Sequence, residues 1–286
     1  MFIIHYTFDF VKKTFDIVVD FKKSKGEGKF FLTTQRARCI IMIYKIVKDR
    51  SGLMLKNFDI KPPFFEVGPK AIIWGDAMLA LAKVIDKTAM KYDVDVIVTP
   101  QYTDIKLLAD NTERILVFAQ HMDALVPGRG LGSVLPEAVK AAGAKGVMLN
   151  HAEKPLDMET LERTIRRADE VGLATIVCAD TVEDVKKIAH MAPNLIVAEP
   201  TELIGTGTTS DSNYVIETIK TVEEINPDIM VLQGAGISNG QDVYNTIKLG
   251  AQATGSTSGI LKAADPYAMV EEMLYNLRKA WDELHP

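Results

Sequence analysis

Residues 174–199 read ATIVCADTVEDVKKIAHMAPNLIVAE. An apolar run at 174–179 is followed by a segment with helical spacing at 181–191, then by a second apolar run at 195–199. Neither run alternates apolar with polar residues. Continuous runs of this length are how strands covered on both faces read, and two of them joined by a helix make a parallel β-α-β unit.

The same unit repeats in both directions along the chain. Strand-like runs fall at 64–67 (FFEV), 95–100 (DVIVTP), 115–120 (ILVFAQ), 146–150 (GVMLN), 229–233 (IMVLQ) and 253–257 (ATGST), so that with the first two there are eight. Between them the apolar spacing is helical. At 77–90 it puts Leu81, Val84, Ile85 and Thr88 on one stripe, and at 157–172 Leu161, Ile165, Ala168 and Val171, with Gly172 placed to cap the C-terminus. Further helices are predicted at 215–225, 240–250 and 265–284, and shorter links near 104–110 and 133–143. Eight strands alternating with helices point to an α/β fold of one domain, a (β/α)8 barrel over 61–286. An open doubly wound sheet is the alternative, but no G-x-G-x-x-G follows the first strand.

Composition narrows the class. The chain has 286 residues, 47% of them hydrophobic and 25% charged, with a net charge of −5. Its two cysteines, Cys39 and Cys178, form neither a disulfide framework nor a zinc spacing, so a reducing cytoplasm is the expected location. No apolar run approaches the roughly 20 residues that a membrane span needs. Residues 1–61 carry 13 Lys and Arg against 6 Asp and Glu, while the remainder is acidic. The lysines of that basic stretch are interleaved with Phe, Ile and Val and form no motif, so neither a nucleic acid nor a membrane is the expected partner. The opening MFIIHYTFDFVKK lacks the form of a signal peptide. Residues 1–60 therefore read as an atypical N-terminal extension of uncertain structure, with the functional protein expected to start near Met54.

In a barrel of this kind the C-terminal ends of the strands form the active face. The fourth strand ends on His151-Ala152-Glu153-Lys154, and the sixth on Glu199. The seventh runs into Gly234-Ala235-Gly236, the eighth into Gly255-Ser256-Thr257-Ser258-Gly259, and the first is followed by Gly68-Pro69-Lys70. Taken singly these are ordinary turn and rim residues. Together they place a carboxylate, an imidazole and an ammonium around loops whose bare N–H groups suit a phosphate. That set reads as acid–base chemistry next to a carbonyl on a phosphorylated sugar, which is isomerisation. No His, Cys and Asp cluster suggests a metal, and no cofactor is expected.

The blocks FAQHMD (118–123), LNHAEKP (149–155), RRADEVGLATIVCAD (166–180), AEPTELIGTG (198–207), QGAGISNGQDV (233–243) and SGILKAADP (258–266) resemble archaeal-type triosephosphate isomerases, in family order. The resemblance implies a TIM barrel that interconverts glyceraldehyde 3-phosphate and dihydroxyacetone phosphate as a homodimer or homotetramer. It implies Glu199 as the base, His151 as the electrophile, and Lys70 as the cation that steadies the enediolate. It puts Ile204, Gly205, Gly234, Gly236, Thr257 and Ser258 around the substrate and its phosphate, with Glu153 tethering the lysine and PTELIGTG as a closing lid. The chain departs from the family at the first strand. There the usual Asn-x-Lys is replaced by Glu66-Val67-Gly68-Pro69-Lys70, and Ala152, Thr201 and the polar Gly255-Ser256-Thr257 differ as well. These departures leave a four-carbon keto-sugar phosphate such as erythrulose phosphate as the alternative substrate. A barrel that binds phosphosugars without turnover is the least favoured reading.

Overall fold

Side chains in the strands of the C-terminal unit alternate between two separate cores, one inside a closed sheet and one beneath the helices. The computed structural model describes residues 58–286, together with the backbone of four strands in the N-terminal segment. Ile3–Phe10 pairs antiparallel with Lys13–Asp20, and Lys22–Lys23 with Phe30–Phe31. The chain divides into two compact units, Met1–Gly52 and Leu53–Pro286. The expectation that the functional protein starts near Met54 falls on residues outside those described.

The barrel strands are β1 (Phe64–Val67), β2 (Asp95–Val98), β3 (Leu116–Ala119), β4 (Gly146–Leu149), β5 (Ala174–Ala179), β6 (Leu195–Ala198), β7 (Met230–Gln233) and β8 (Ala253–Ser256). They form one closed parallel barrel, each strand pairing with its neighbours in sequence and β8 with β1. This is the predicted (β/α)8 TIM barrel. Phe64, Ile97, Phe118, Ile176, Leu195, Val197 and Leu232 fill the lumen. Their sequence neighbours Phe65, Val96, Val98, Val117, Val177, Ile196 and Val231 point outward under the helices. Both faces of most strands are therefore apolar, which is why those runs do not alternate in sequence; Glu66 in β1 and Thr254 and Ser256 in β8 are the buried polar exceptions at these two strands.

The helices are α1 (Gly75–Tyr92), α2 (Ile105–Ala109), α3 (Pro136–Ala141), α4 (Met158–Val171), α5 (Val182–Ala189), α6 (Ser212–Ile225), α7 (Gly240–Lys248), α8 (Ser258–Leu261) and α9 (Pro266–Leu284). Five of them start at a side chain that accepts from a first-turn N–H: Asp157, Thr181, Asp211, Asn239 and Asp265. Gly172 ends α4 in the left-handed conformation, as its position predicted. Of the expected stripe on α1, Leu81, Ile85 and Thr88 are buried and Val84 is half-buried, while Met78, Ala82 and Ala89 widen the buried face. The four-residue α8 was not predicted, because one turn is too short to show a period. Among the described residues no helix is long and apolar enough to cross a membrane.

Candidate active site

The C-terminal ends of the strands surround a cavity of about 430 Å³. Every residue singled out from sequence lines it: Glu199, His151, Lys70, Glu153, Ile204, Gly205, Gly234, Gly236, Thr257 and Ser258. The carboxylate at the tip of β6 is fixed from β7. The Ala235 N–H donates to Glu199 Oε1 at 3.0 Å. Gly234 permits this approach, since a Cβ there would stand 2.9 Å from the Cβ of Glu199. Burial raises the pKa of Glu199, while Lys70 and the Ala235 N–H pull it back down. The group is thus a partly desolvated carboxylate, a stronger base than one in water.

His151 follows β4 and is polarised by its own turn. The Glu153 N–H donates to His151 Nδ1 at 3.1 Å. Nδ1 is then the unprotonated nitrogen, and the neutral ring carries its proton on Nε2. Burial lowers the pKa of the ring and Lys70 lowers it further, against a smaller opposing effect of Glu153. His151 therefore stands neutral at physiological pH, able to donate from Nε2 without being an acid strong enough to give up a full proton early.

Lys70 has left-handed backbone, with φ 51°. That conformation is held by two amides absent from the sequence-based set, for Gln101 Nε2 and Gln120 Nε2 each donate to the Lys70 carbonyl at 2.8 Å. The Lys70 ammonium then meets Glu153 Oε1 at 2.6 Å. The lysine comes two residues later than the family spacing, and the positive φ turns the chain so that its side chain still reaches the cavity. Lys154, at the end of the fourth strand as read from sequence, also lines the cavity, and so does Lys262, which was not expected there.

The loop after β6 is anchored at its start, where the Thr201 N–H donates to Asp180 Oδ1 at 2.8 Å. Gly205 and Gly207 take left-handed backbone inside it. Its far limb lies against the β7 loop so closely that a Cβ on Gly236 would fall 1.9 Å from the Thr208 carbonyl oxygen. Thr257 Oγ1 donates to the Gly68 carbonyl at 2.6 Å and Ser256 Oγ to the Ile237 carbonyl at 2.8 Å, so the end of β8 is tied to the loops on either side. The backbone N–H groups of Gly205, Gly236 and Ser258 carry no hydrogen bond among the described residues.

One residue of the site was missed outright. Glu66, inside β1, reads in sequence as a break in an apolar run and as a lost asparagine. Parity was the available signal, because Glu66 shares a face with Phe64 and so projects into the lumen at the mouth.

The triosephosphate isomerase family model matches residues 74–273. The triosephosphate isomerase of Sulfurisphaera tokodaii is 37% identical over 227 residues, covering 78% of this chain and 99% of that protein. That of Methanocaldococcus jannaschii is 37% identical over 203 residues, covering 70% of this chain and 92% of the relative. The crystal structure of triosephosphate isomerase from Bartonella henselae shares the fold at a TM-score of 0.61 and 16% identity, covering 78% of this chain and all of that one. The family match starts after β1, so Glu66 and Lys70 lie outside it. The chain belongs to the triosephosphate isomerase family, whose enzymes are aldose–ketose isomerases interconverting glyceraldehyde 3-phosphate and dihydroxyacetone phosphate.

Proposed function

We propose that Glu199, His151 and Lys70 carry out this isomerisation through an enediolate. The observation that carries the reading is the opposed tuning of two groups on one cavity: a carboxylate made more basic by burial and an imidazole kept neutral with its proton on Nε2. Glu199 takes the proton from the carbon next to the carbonyl. The electron pair of that C–H bond forms the C=C bond, and the carbonyl electrons move onto oxygen. His151 Nε2–H and the Lys70 ammonium stabilise that oxygen. The proton shared between the two oxygens changes sides, and Glu199 returns its proton to the neighbouring carbon. One carbon is oxidised and the other reduced within the same molecule, so the step balances without an outside oxidant. Gly205, Gly236, Thr257 and Ser258 hold the phosphate, with Ile204 and Gly234 shaping its approach. Closure of the loop after β6 keeps water from the enediolate.

The triose is the substrate this reading favours, since the relatives over most of the barrel are triosephosphate isomerases. The four-carbon alternative rests on the departures at β1, Ala152, Thr201 and Gly255-Ser256-Thr257, of which only β1 lies outside the family match. A coupled assay with glyceraldehyde 3-phosphate and erythrulose phosphate side by side decides between them. The expected result is a higher kcat/KM for the triose. A higher value for the tetrulose makes β1 the specificity determinant, and turnover of neither leaves a binding protein.

The same reading extends to self-association. Val126 and Leu131 on the loop after β3 are 64% and fully exposed, and Ile72 and Trp74 after β1 are also exposed. Apolar side chains of this size on two mouth loops suit burial against a second copy. Light scattering is expected to give at least twice the 31.6 kDa of one chain, and a monomer mass at assay concentration would count against this.

A further inference from the structure

β1 puts a third carboxyl in the cavity, and the mechanism gives it no task. Thr99 Oγ1 donates to Glu66 Oε1 at 2.9 Å, while Oε2 has no hydrogen-bond partner among the described residues. The space around the group is made by glycines. A Cβ on Gly255, its partner across the β8–β1 pairing, would stand 3.1 Å from Oε2, and a Cβ on Gly68 would stand 3.0 Å from Oε1. One oxygen is therefore held and the other is left for what enters the cavity. Glu199 from β6, Cys178 from β5 and Lys70 from the loop after β1 face this carboxyl, and His151 and Glu153 lie across the cavity on the β4 loop. β7 and β8 present Gly234 and Gly255, which do not titrate.

We propose that Glu66 is a further substrate-binding and specificity-determining residue, a neutral acid whose Oε2–H donates a hydrogen bond to an oxygen on the reacting carbons. This rests on the isomerase reading of the same site. An ionised Glu66 would add negative charge beside Glu199 and a forming enediolate, whereas a protonated one is a donor aimed at the growing negative charge. It takes the place of the family's asparagine amide with a donor that can be switched off. Burial pushes the Glu66 pKa up to about 8, with the Thr99 hydrogen bond lowering it, Glu199 raising it and Lys70 lowering it. The donor is present below that pH and lost above it. Turnover therefore holds at neutral pH and falls as pH rises through about 8. The acid side belongs to Glu199 and His151. Cys178 is held well above its ordinary range by burial and does not supply the limb.

The test is the pH profile of kcat/KM for triose phosphate in the wild type, Glu66→Gln and Thr99→Ala, with folding followed by thermal melts. Glutamine keeps a donor that does not titrate. Glu66→Gln is expected to lower kcat/KM at neutral pH by about tenfold and to abolish the alkaline limb. Thr99→Ala removes a hydrogen bond that lowers the Glu66 pKa, so its limb should move to higher pH. An unchanged limb in either folded variant would overturn the proposal. If the wild type turns over neither the triose nor erythrulose phosphate, the isomerase reading fails on its own, and Glu66 is then tested by 2-phosphoglycolate binding over the same pH range. Affinity that weakens above about pH 8 in the wild type but not in Glu66→Gln supports the role, and parallel curves refute it.

Discussion

Glu199→Gln lowers kcat by about a thousandfold on any substrate the enzyme accepts, within the range that loss of a positioned general base produces. Binding of 2-phosphoglycolate stays within a few-fold of the wild type or tightens. The reason is a division of labour in the cavity. The carboxylate at the tip of β6 acts on carbon, and the phosphate is held by the loops after β6, β7 and β8. Glutamine is nearly isosteric and its carbonyl can still accept from the Ala235 N–H, so the position above Gly234 is kept. Only the ability to take a proton is lost. Replacing a buried carboxylate by a neutral amide also removes a negative charge near an anionic ligand, which is why binding does not weaken. The check is steady-state kinetics of the variant beside calorimetry of 2-phosphoglycolate. Turnover close to that of the wild type would remove Glu199 from the role of base.

Lys70→Ala is expected to raise KM and lower kcat together, with kcat/KM falling about 100- to 1,000-fold, the scale for loss of one group that stabilises developing oxyanion charge. A second effect separates this lysine from a merely structural one. Lys70 lowers the pKa of both Glu199 and His151. Without it both rise. The reaction needs Glu199 ionised and His151 neutral, so each change moves the acid limb of kcat/KM in the same direction, to higher pH. A fall in rate with an unmoved acid limb would mean that the side chain acts only through packing. An unchanged kcat/KM would assign the cation to Lys154 or Lys262, which share the cavity.

The barrel was legible because both faces of most strands are apolar, and that pattern survives in a single sequence. Glu199 and His151 were legible because a titratable residue directly after such a run lies at the mouth by construction. The position of Lys70 was legible but its geometry was not, since φ 51° at a lysine depends on Gln101 and Gln120 from two other strand ends. Those glutamines come together only when the barrel closes. Glu66 was missed for a different reason. It lies inside a strand, and the expectation that chemistry follows strand ends passed over it. The glycines at 68 and 255 read as turn residues, yet their spacing matters to the Glu66 carboxyl. Contacts of this kind join residues 189 positions apart, as the Thr257 bond to Gly68 does, and no local pattern encodes them.

The most direct test of proton transfer through Glu199 is isomerisation of glyceraldehyde 3-phosphate in D2O, followed by 1H NMR in the wild type and in Glu199→Gln. A carboxyl that exchanges with solvent while holding the substrate's proton must deliver some deuterium to carbon. The wild type is expected to give dihydroxyacetone phosphate with deuterium at C1, and the variant none at a comparable rate. Product formed with hydrogen fully retained, or labelled equally fast without the carboxylate, would contradict proton transfer through Glu199.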